Sequence, residues 1–151
     1  MLQKGDLLPQ FEGFNQNGDL IKSQDFIGKK LVIFFYPQAS TPTCTIEACQ
    51  LRDHYADLQK AGYQLLGISA DTVAKQKKFH TKNELPYDLF ADEDKKVVEQ
   101  FGVWKEKKNF GKTYMGIVRT TFVFNEKGVC TRVIEKVKSK EAAQQILEEE
   151  V

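Results

Sequence analysis

Apolar residues in the chain fall into two kinds of run. "KKLVIFFYP" (Lys29–Pro37) and "YQLLGISAD" (Tyr63–Asp71) are continuous and of strand length, which predicts strands buried on both faces. Between them Ile46, Leu51, Tyr55 and Leu58 recur at roughly helical spacing. That predicts a helix from about Thr43 to Lys60, stopped by Ala61-Gly62. Asp71 and Thr72 are candidate caps for a second helix ending near Lys82. "YDLFADED" predicts a short strand or extended piece, after which Asp92 opens a short helix through Phe101. "TTFVFNEKGVCTRVIEKV" predicts two antiparallel strands joined by an Asn-Glu-Lys-Gly turn. Ser139 is placed to cap a last helix with Ala142, Ala143, Ile146 and Leu147 on its apolar side. Near the start, "FEGFNQNGDLIKS" predicts a hairpin turning on Asn17-Gly18.

The order is hairpin, βαβα, short elements, ββα. Alternating strands and helices imply a parallel section with right-handed crossovers, and the late strand pair adds antiparallel strands. The fold class is therefore α/β, with a central mixed sheet flanked by helices. In element order it resembles a thioredoxin-like domain with an N-terminal β-hairpin extension and an insert around residues 85–115. No repeat, linker or low-complexity segment divides the chain, so residues 1–151 are expected to form one domain.

Composition narrows the classes of function. The 151 residues are 41% hydrophobic and 28% charged, and 22 basic side chains against 21 acidic ones leave a net charge of +1. Nothing in that balance marks a nucleic-acid or membrane-surface binder. Lysines gather at Lys75, Lys77 and Lys78, and again at Lys105, Lys107 and Lys108, and both groups read as solvated surface. No apolar run approaches the roughly 20 residues of a membrane span. The opening "MLQKGDLLPQF" lacks the apolar core of a secretory leader, so a cytoplasmic location is expected. Three cysteines are too few, and odd in number, for a disulfide scaffold.

The chemistry gathers in "FFYPQASTPTCTIEACQLRD" (Phe34–Asp53). Cys44 falls where a strand has ended and a helix begins. There the first backbone N–H groups lack partners and the helix dipole is positive, and both favour the thiolate, the nucleophilic form. Pro37 and Pro42 stiffen the loop, and the Thr41 hydroxyl is close enough in sequence to reach the sulfur or a substrate oxygen beside it. Cys49 lies five residues on. In a helix the two Cα atoms would stand about 8–9 Å apart, beyond the roughly 7 Å a disulfide tolerates. A bond between them requires the helix to unwind, so a transient disulfide fits and a fixed one does not. A metal site would draw on Cys44, Cys49, Cys130, His54 and His80, but no pair among them has the usual ligand spacing. No Cys-x-x-Cys pair is present either, which argues against a disulfide reductase.

"PQASTPTC" fits the pattern Pro-x-x-x-Thr-x-x-Cys and resembles the active-site signature of the peroxiredoxins. With the second cysteine, and with "GIVRTTF" further on, the chain is similar to the bacterioferritin comigratory protein or PrxQ subgroup, over nearly its whole length. The resemblance implies that Cys44 is the peroxidatic cysteine and Cys49 the resolving one. It implies that Thr41 hydrogen-bonds the peroxide and that Pro37 shields the sulfur from water. Arg119 would stabilise the thiolate and polarise the peroxide, with Glu47 orienting that arginine. It further implies hydrogen peroxide and alkyl hydroperoxides as substrates, thioredoxin or a similar dithiol as reductant, and no metal or organic cofactor. A monomer or weak homodimer is expected. Trp104 is expected to pack near the site. Thr43 stands where many relatives carry glycine, and Cys130 has no counterpart. A redox sensor switched by a Cys44–Cys49 disulfide is the alternative.

Overall fold

The computed structural model describes residues 1–148. Its strands are β1 (Glu12–Asn15), β2 (Leu20–Lys22), β3 (Lys30–Phe35), β4 (Tyr63–Ser69), β5 (Asp88–Ala91), β6 (Trp104–Asn109), β7 (Lys112–Ile117), β8 (Thr120–Phe124) and β9 (Cys130–Ile134). Its α-helices are α1 (Pro42–Asp53), α2 (Tyr55–Lys60), α3 (Val73–Lys82), α4 (Lys96–Gln100) and α5 (Ala142–Glu148). Seven strands form a mixed sheet in the order β2-β1-β5-β4-β3-β8-β9. The centre, β5-β4-β3, is parallel, while β1 and β8 join it antiparallel on either side.

The alternation along β3 sorts the core into two layers. Val32 and Phe34, followed by Tyr36, face α1, α3 and α5, together with Leu51, Phe79 and Ala143. Leu31, Ile33 and Phe35 face the other way, against Phe101, Phe122 and Phe124. Both faces are covered, which is why the run reads as unbroken apolar sequence. Under Phe34, Gly67 of β4 leaves room for the ring; a Cβ there would lie 2.7 Å from Phe34 Cζ.

Three expectations are corrected. The helix expected from Thr43 to Lys60 is two helices, broken at His54 (φ −109°, ψ 15°). Ile46, placed on the apolar side by spacing alone, is 41% exposed. The buried face is Cys44, Glu47, Ala48 and Leu51, the i, i+3, i+4, i+7 stripe that points at the sheet. Ser139 does not cap the last helix but opens a short 3-10 turn that leads into α5.

The insert contains a feature that the sequence pattern did not suggest, a separate hairpin of β6 and β7. Phe110 and Gly111 turn it with φ 51° and 78°. Positive φ at both central residues is the type I′ arrangement that suits hairpins.

Candidate active site

The loop from Pro37 to Thr41 links β3 to α1, and it is held in a costly shape. Ser40 has φ 66°, a left-handed conformation that costs a non-glycine residue about 1–2 kcal/mol. A buried polar chain fixes it. Asp71 Oδ2 accepts the Ala39 N–H at 2.7 Å and the Ser69 hydroxyl at 2.7 Å. Gln76 Nε2 donates to Ser69 Oγ (2.9 Å) and to the Phe90 carbonyl (3.0 Å). The Tyr36 hydroxyl donates to Gln76 Oε1 (2.5 Å), and burial pushes its pKa upward, so it remains a donor. Such a fully satisfied network rigidifies what it touches. Asp71 thus anchors the loop, and Thr72 rather than Asp71 caps α3, its Oγ1 accepting the Lys75 N–H at 3.2 Å.

Pro42 takes the first helical position, where its missing N–H costs nothing. Cys44 follows in the first turn, 2% exposed. Arg119, immediately before β8, reaches across to it: Nη2 lies 3.2 Å from Cys44 Sγ and Nη1 2.5 Å from Glu47 Oε1. One guanidinium therefore touches both the thiol and the carboxyl. Glu47 sits on the same helix face as Cys44 and is fully buried. Burial pushes its carboxyl up to about 7, against the pull of Arg119. Among the described residues, its Oε2 has no hydrogen-bond partner. Burial disfavours the charge of Arg119, but the neighbouring Glu47 and Cys44 outweigh it and raise its pKa.

The other expected residues are placed as follows. The Thr41 hydroxyl donates to the Gln38 carbonyl at 2.9 Å rather than to the sulfur. Pro37 is half-buried and, with Trp104, Lys107, Tyr114 and Ile117, lines an open pocket of about 350 Å³. Cys49 is half-buried and away from Arg119, with its thiol 3.5 Å from Asn83 Oδ1. All three cysteines are free thiols, and α1 is helical through both Cys44 and Cys49. Cys130 is buried in the opposite core layer, so the sheet lies between it and Cys44. Burial raises its thiol pKa.

Sequence reasoning missed the bonds that hold α1 down. The Tyr87 hydroxyl donates to the Ala48 carbonyl at 2.7 Å. Arg52 Nη1 donates to the Asn83 carbonyl at 2.8 Å. Gln50 Oε1 accepts the Ala143 N–H of α5 at 2.7 Å. These partners lie 31 to 93 residues apart, and no local pattern links them. Among the described residues, no group of three or more His, Cys, Asp or Glu could hold a metal ion. No helix among them is long and apolar enough to cross a membrane.

A mixed sheet that presents a cysteine at a helix mouth against an arginine is the arrangement of a thiol-reactive enzyme on a thioredoxin fold. Residues 4–133 match the model of the AhpC/TSA family. The chain is 44% identical over 138 residues to Peroxiredoxin Bcp of Escherichia coli K12, covering 91% of this chain and 88% of that one. The crystal structure of peroxidoxin BcpB from Mycobacterium tuberculosis superposes with a TM-score of 0.86 at 33% identity, covering 98% of this chain and 96% of the other. A structure of the Xanthomonas campestris bacterioferritin comigratory protein, described in terms of alkyl peroxide reduction, gives a TM-score of 0.86 at 31% identity, covering 95% and 96% of the two chains. The chain belongs to the AhpC/TSA family. Within it the chain is a peroxiredoxin, a peroxidase that works through a thiol, and its likeness is to the Bcp and PrxQ members.

Proposed function

We propose that this peroxidase reduces hydrogen peroxide and alkyl hydroperoxides through Cys44, with Cys49 as the resolving thiol and a thioredoxin-type dithiol as reductant. The observation that carries the reading is the Arg119 guanidinium shared between Cys44 Sγ and Glu47. It stabilises a thiolate before reaction and offers N–H donors to the peroxide oxygens as charge moves onto them. The Cys44 thiolate attacks one peroxide oxygen and the O–O bond breaks. The other oxygen leaves as hydroxide or alkoxide and takes up a proton. Cys44 becomes a sulfenic acid. Pro37 keeps bulk water from the sulfur, and Thr41, at the helix N-cap, exchanges its bond to Gln38 for one to the bound peroxide.

Resolution needs motion. Both cysteines lie in one intact helix, so the first turns of α1 unwind to bring the sulfurs together. The Cys49 sulfur then attacks the sulfenic sulfur, water leaves and a disulfide forms. A dithiol reopens it by exchange. The alkyl peroxide reduction ascribed to the Xanthomonas relative supports organic hydroperoxides as substrates here.

The test is continuous turnover with hydrogen peroxide, thioredoxin, thioredoxin reductase and NADPH. Steady NADPH consumption is expected. A single stoichiometric oxidation that then stops would overturn the recycled-enzyme reading and favour a redox sensor. Peptide mapping of the oxidised protein should find Cys44 joined to Cys49. Cys49→Ser should react once with peroxide and then stall or over-oxidise. A linkage through Cys130 would transfer the resolving role.

A further inference from the structure

The lysines at Lys105, Lys107 and Lys108 look like a solvated cluster in the sequence, yet only Lys105 and Lys108 stay exposed. Lys107 is half-buried on β6, and its stem crosses the hairpin rather than extending into water. Gly116 makes the crossing possible: a Cβ there would stand 3.1 Å from Lys107 Cδ. The ammonium then donates to the Ile117 carbonyl at 3.0 Å and lies 6.0 Å from the centre of the Tyr114 ring. Ile117 is two residues from Arg119, and burial lowers the Lys107 pKa.

Lys107 lines the pocket of about 350 Å³ beside Pro37, whose other walls include Trp104, Tyr114, Met115 and Ile117. That is the size of a small-molecule site, and its apolar walls are interrupted by the polar side chains of Gln38, Asp71 and Lys107. The acid in the lining, Asp71, is 9% exposed and turned inward, its Oδ2 engaged by Ala39 and Ser69. The hairpin carries four lysines against one glutamate, while the whole chain has a net charge of only +1. Of those four lysines, Lys107 is the one that lines this pocket.

We propose that the pocket is a subsite for the organic part of a hydroperoxide that bears a carboxylate, with Lys107 as the group that pairs with the anion. The proposal deepens the peroxidase reading and rests on it. The hydroperoxide end reaches past Pro37 toward Cys44 and Arg119. The hydrocarbon body lies against Trp104, Tyr114 and Met115, and the carboxylate meets the Lys107 ammonium. Lys107 thereby selects among substrates, while the O–O chemistry stays with Cys44. Hydrogen peroxide is too small to use the subsite.

Three hydroperoxides test this: cumene hydroperoxide, its 4-carboxylate derivative, and the methyl ester of that derivative. The ring and the peroxide are the same in all three, so the ratio of kcat/KM for acid over ester isolates the anion. In the native protein the ratio should be about fivefold to tenfold, the size expected for a half-buried ion pair. It should fall toward one in Lys107→Met, persist in Lys107→Arg, and shrink as salt is raised. Because the ratio is taken within each protein, a general effect of the substitution on the thiol cancels. A ratio near one in the native protein, or one unchanged in Lys107→Met, would overturn the subsite. If Lys107→Met fails to fold, a native ratio that ignores salt does the same. Failure of the native protein to turn over hydrogen peroxide would instead sink the peroxidase reading itself.

Discussion

The two ends of helix α1 hold a thiol each, and they treat it oppositely. At the N-terminal end Cys44 is buried against a guanidinium that also grips a buried carboxyl. Five residues on, Cys49 is half-buried with a neutral amide oxygen, Asn83 Oδ1, at 3.5 Å. One thiol is set among charge and first-turn N–H groups. The other has an amide oxygen as its hydrogen-bond partner and the Arg52 guanidinium, bound to the Asn83 carbonyl, nearby. The same residue type acquires different surroundings at the two ends, and the intact helix between them holds the two thiols apart.

The largest effect is expected from removing the thiol that the proposed mechanism makes the nucleophile. Cys44→Ser should lose turnover by on the order of 10³-fold or more, since a hydroxyl is a far weaker nucleophile at neutral pH. Stopped-flow kinetics with hydrogen peroxide measures it; residual activity near the native level would move the chemistry to Cys49. Next in size is Arg119→Met, which removes the shared guanidinium but keeps much of its volume. A fall of about 10²–10³-fold in the rate of Cys44 oxidation is expected, the usual cost of a lost charge-stabilising donor. The reaction of Cys49 with an added alkylating reagent should scarcely change, because Arg119 does not touch it. Equal slowing at both thiols would show that Arg119 acts through the fold.

How much of this contrast the sequence exposes depends on distance along the chain. The helix mouth, the two cysteines and their misfit for a disulfide are local, and periodicity reveals them. The partners of Cys44 are not local. Arg119 lies 75 residues away, and only its likeness to a family segment singled it out. The Asp71–Ser69–Gln76–Tyr36 chain and the Tyr87 and Gln50 clamps join polar residues whose purpose appears only once the sheet is assembled. Asp71 had a ready local explanation as a cap, which hid its bond to Ala39. The β6–β7 hairpin escaped for another reason: it lacks an alternating apolar face, and its turn residue Phe110 is not one that favours positive φ. Lys107 was misread with it, because charge counts ignore the direction a side chain takes.

A smaller effect sharpens the Cys49 side. Tyr87→Phe deletes the hydroxyl bond to the Ala48 carbonyl and keeps the ring. One neutral hydrogen bond stabilises by about 1 kcal/mol, so the unwound form of α1 should become about fivefold more populated. Disulfide formation should quicken by a similar factor, and less sulfinic acid should accumulate at high peroxide. Mass spectrometry of Cys44 after peroxide pulses reads the partition. No change in it would mean that a different contact limits unwinding.

The last effect separates the two ends by pH. Glu47, beside Cys44, has its carboxyl raised by burial from 4.5 to about 7. Below pH about 4.5 this acid is neutral in the folded and unfolded chain alike, and its contribution to stability is fully present. As pH rises toward 7 the unfolded chain gives up the proton while the folded protein retains it, so stability falls; above 7 the loss is complete. Glu47→Gln has no proton to lose. Relative to the native protein it should therefore gain on the order of 1–3 kcal/mol between pH 5 and 7.5, read from urea midpoints across that range. The carboxamide can still accept from Arg119, so the comparison tests ionisation rather than packing. Parallel curves for the two proteins would show that Glu47 is already ionised at pH 5. The guanidinium would then hold a carboxylate there, and the Cys44 end of α1 would owe its reactivity to a permanent ion pair rather than to an acid poised near neutrality.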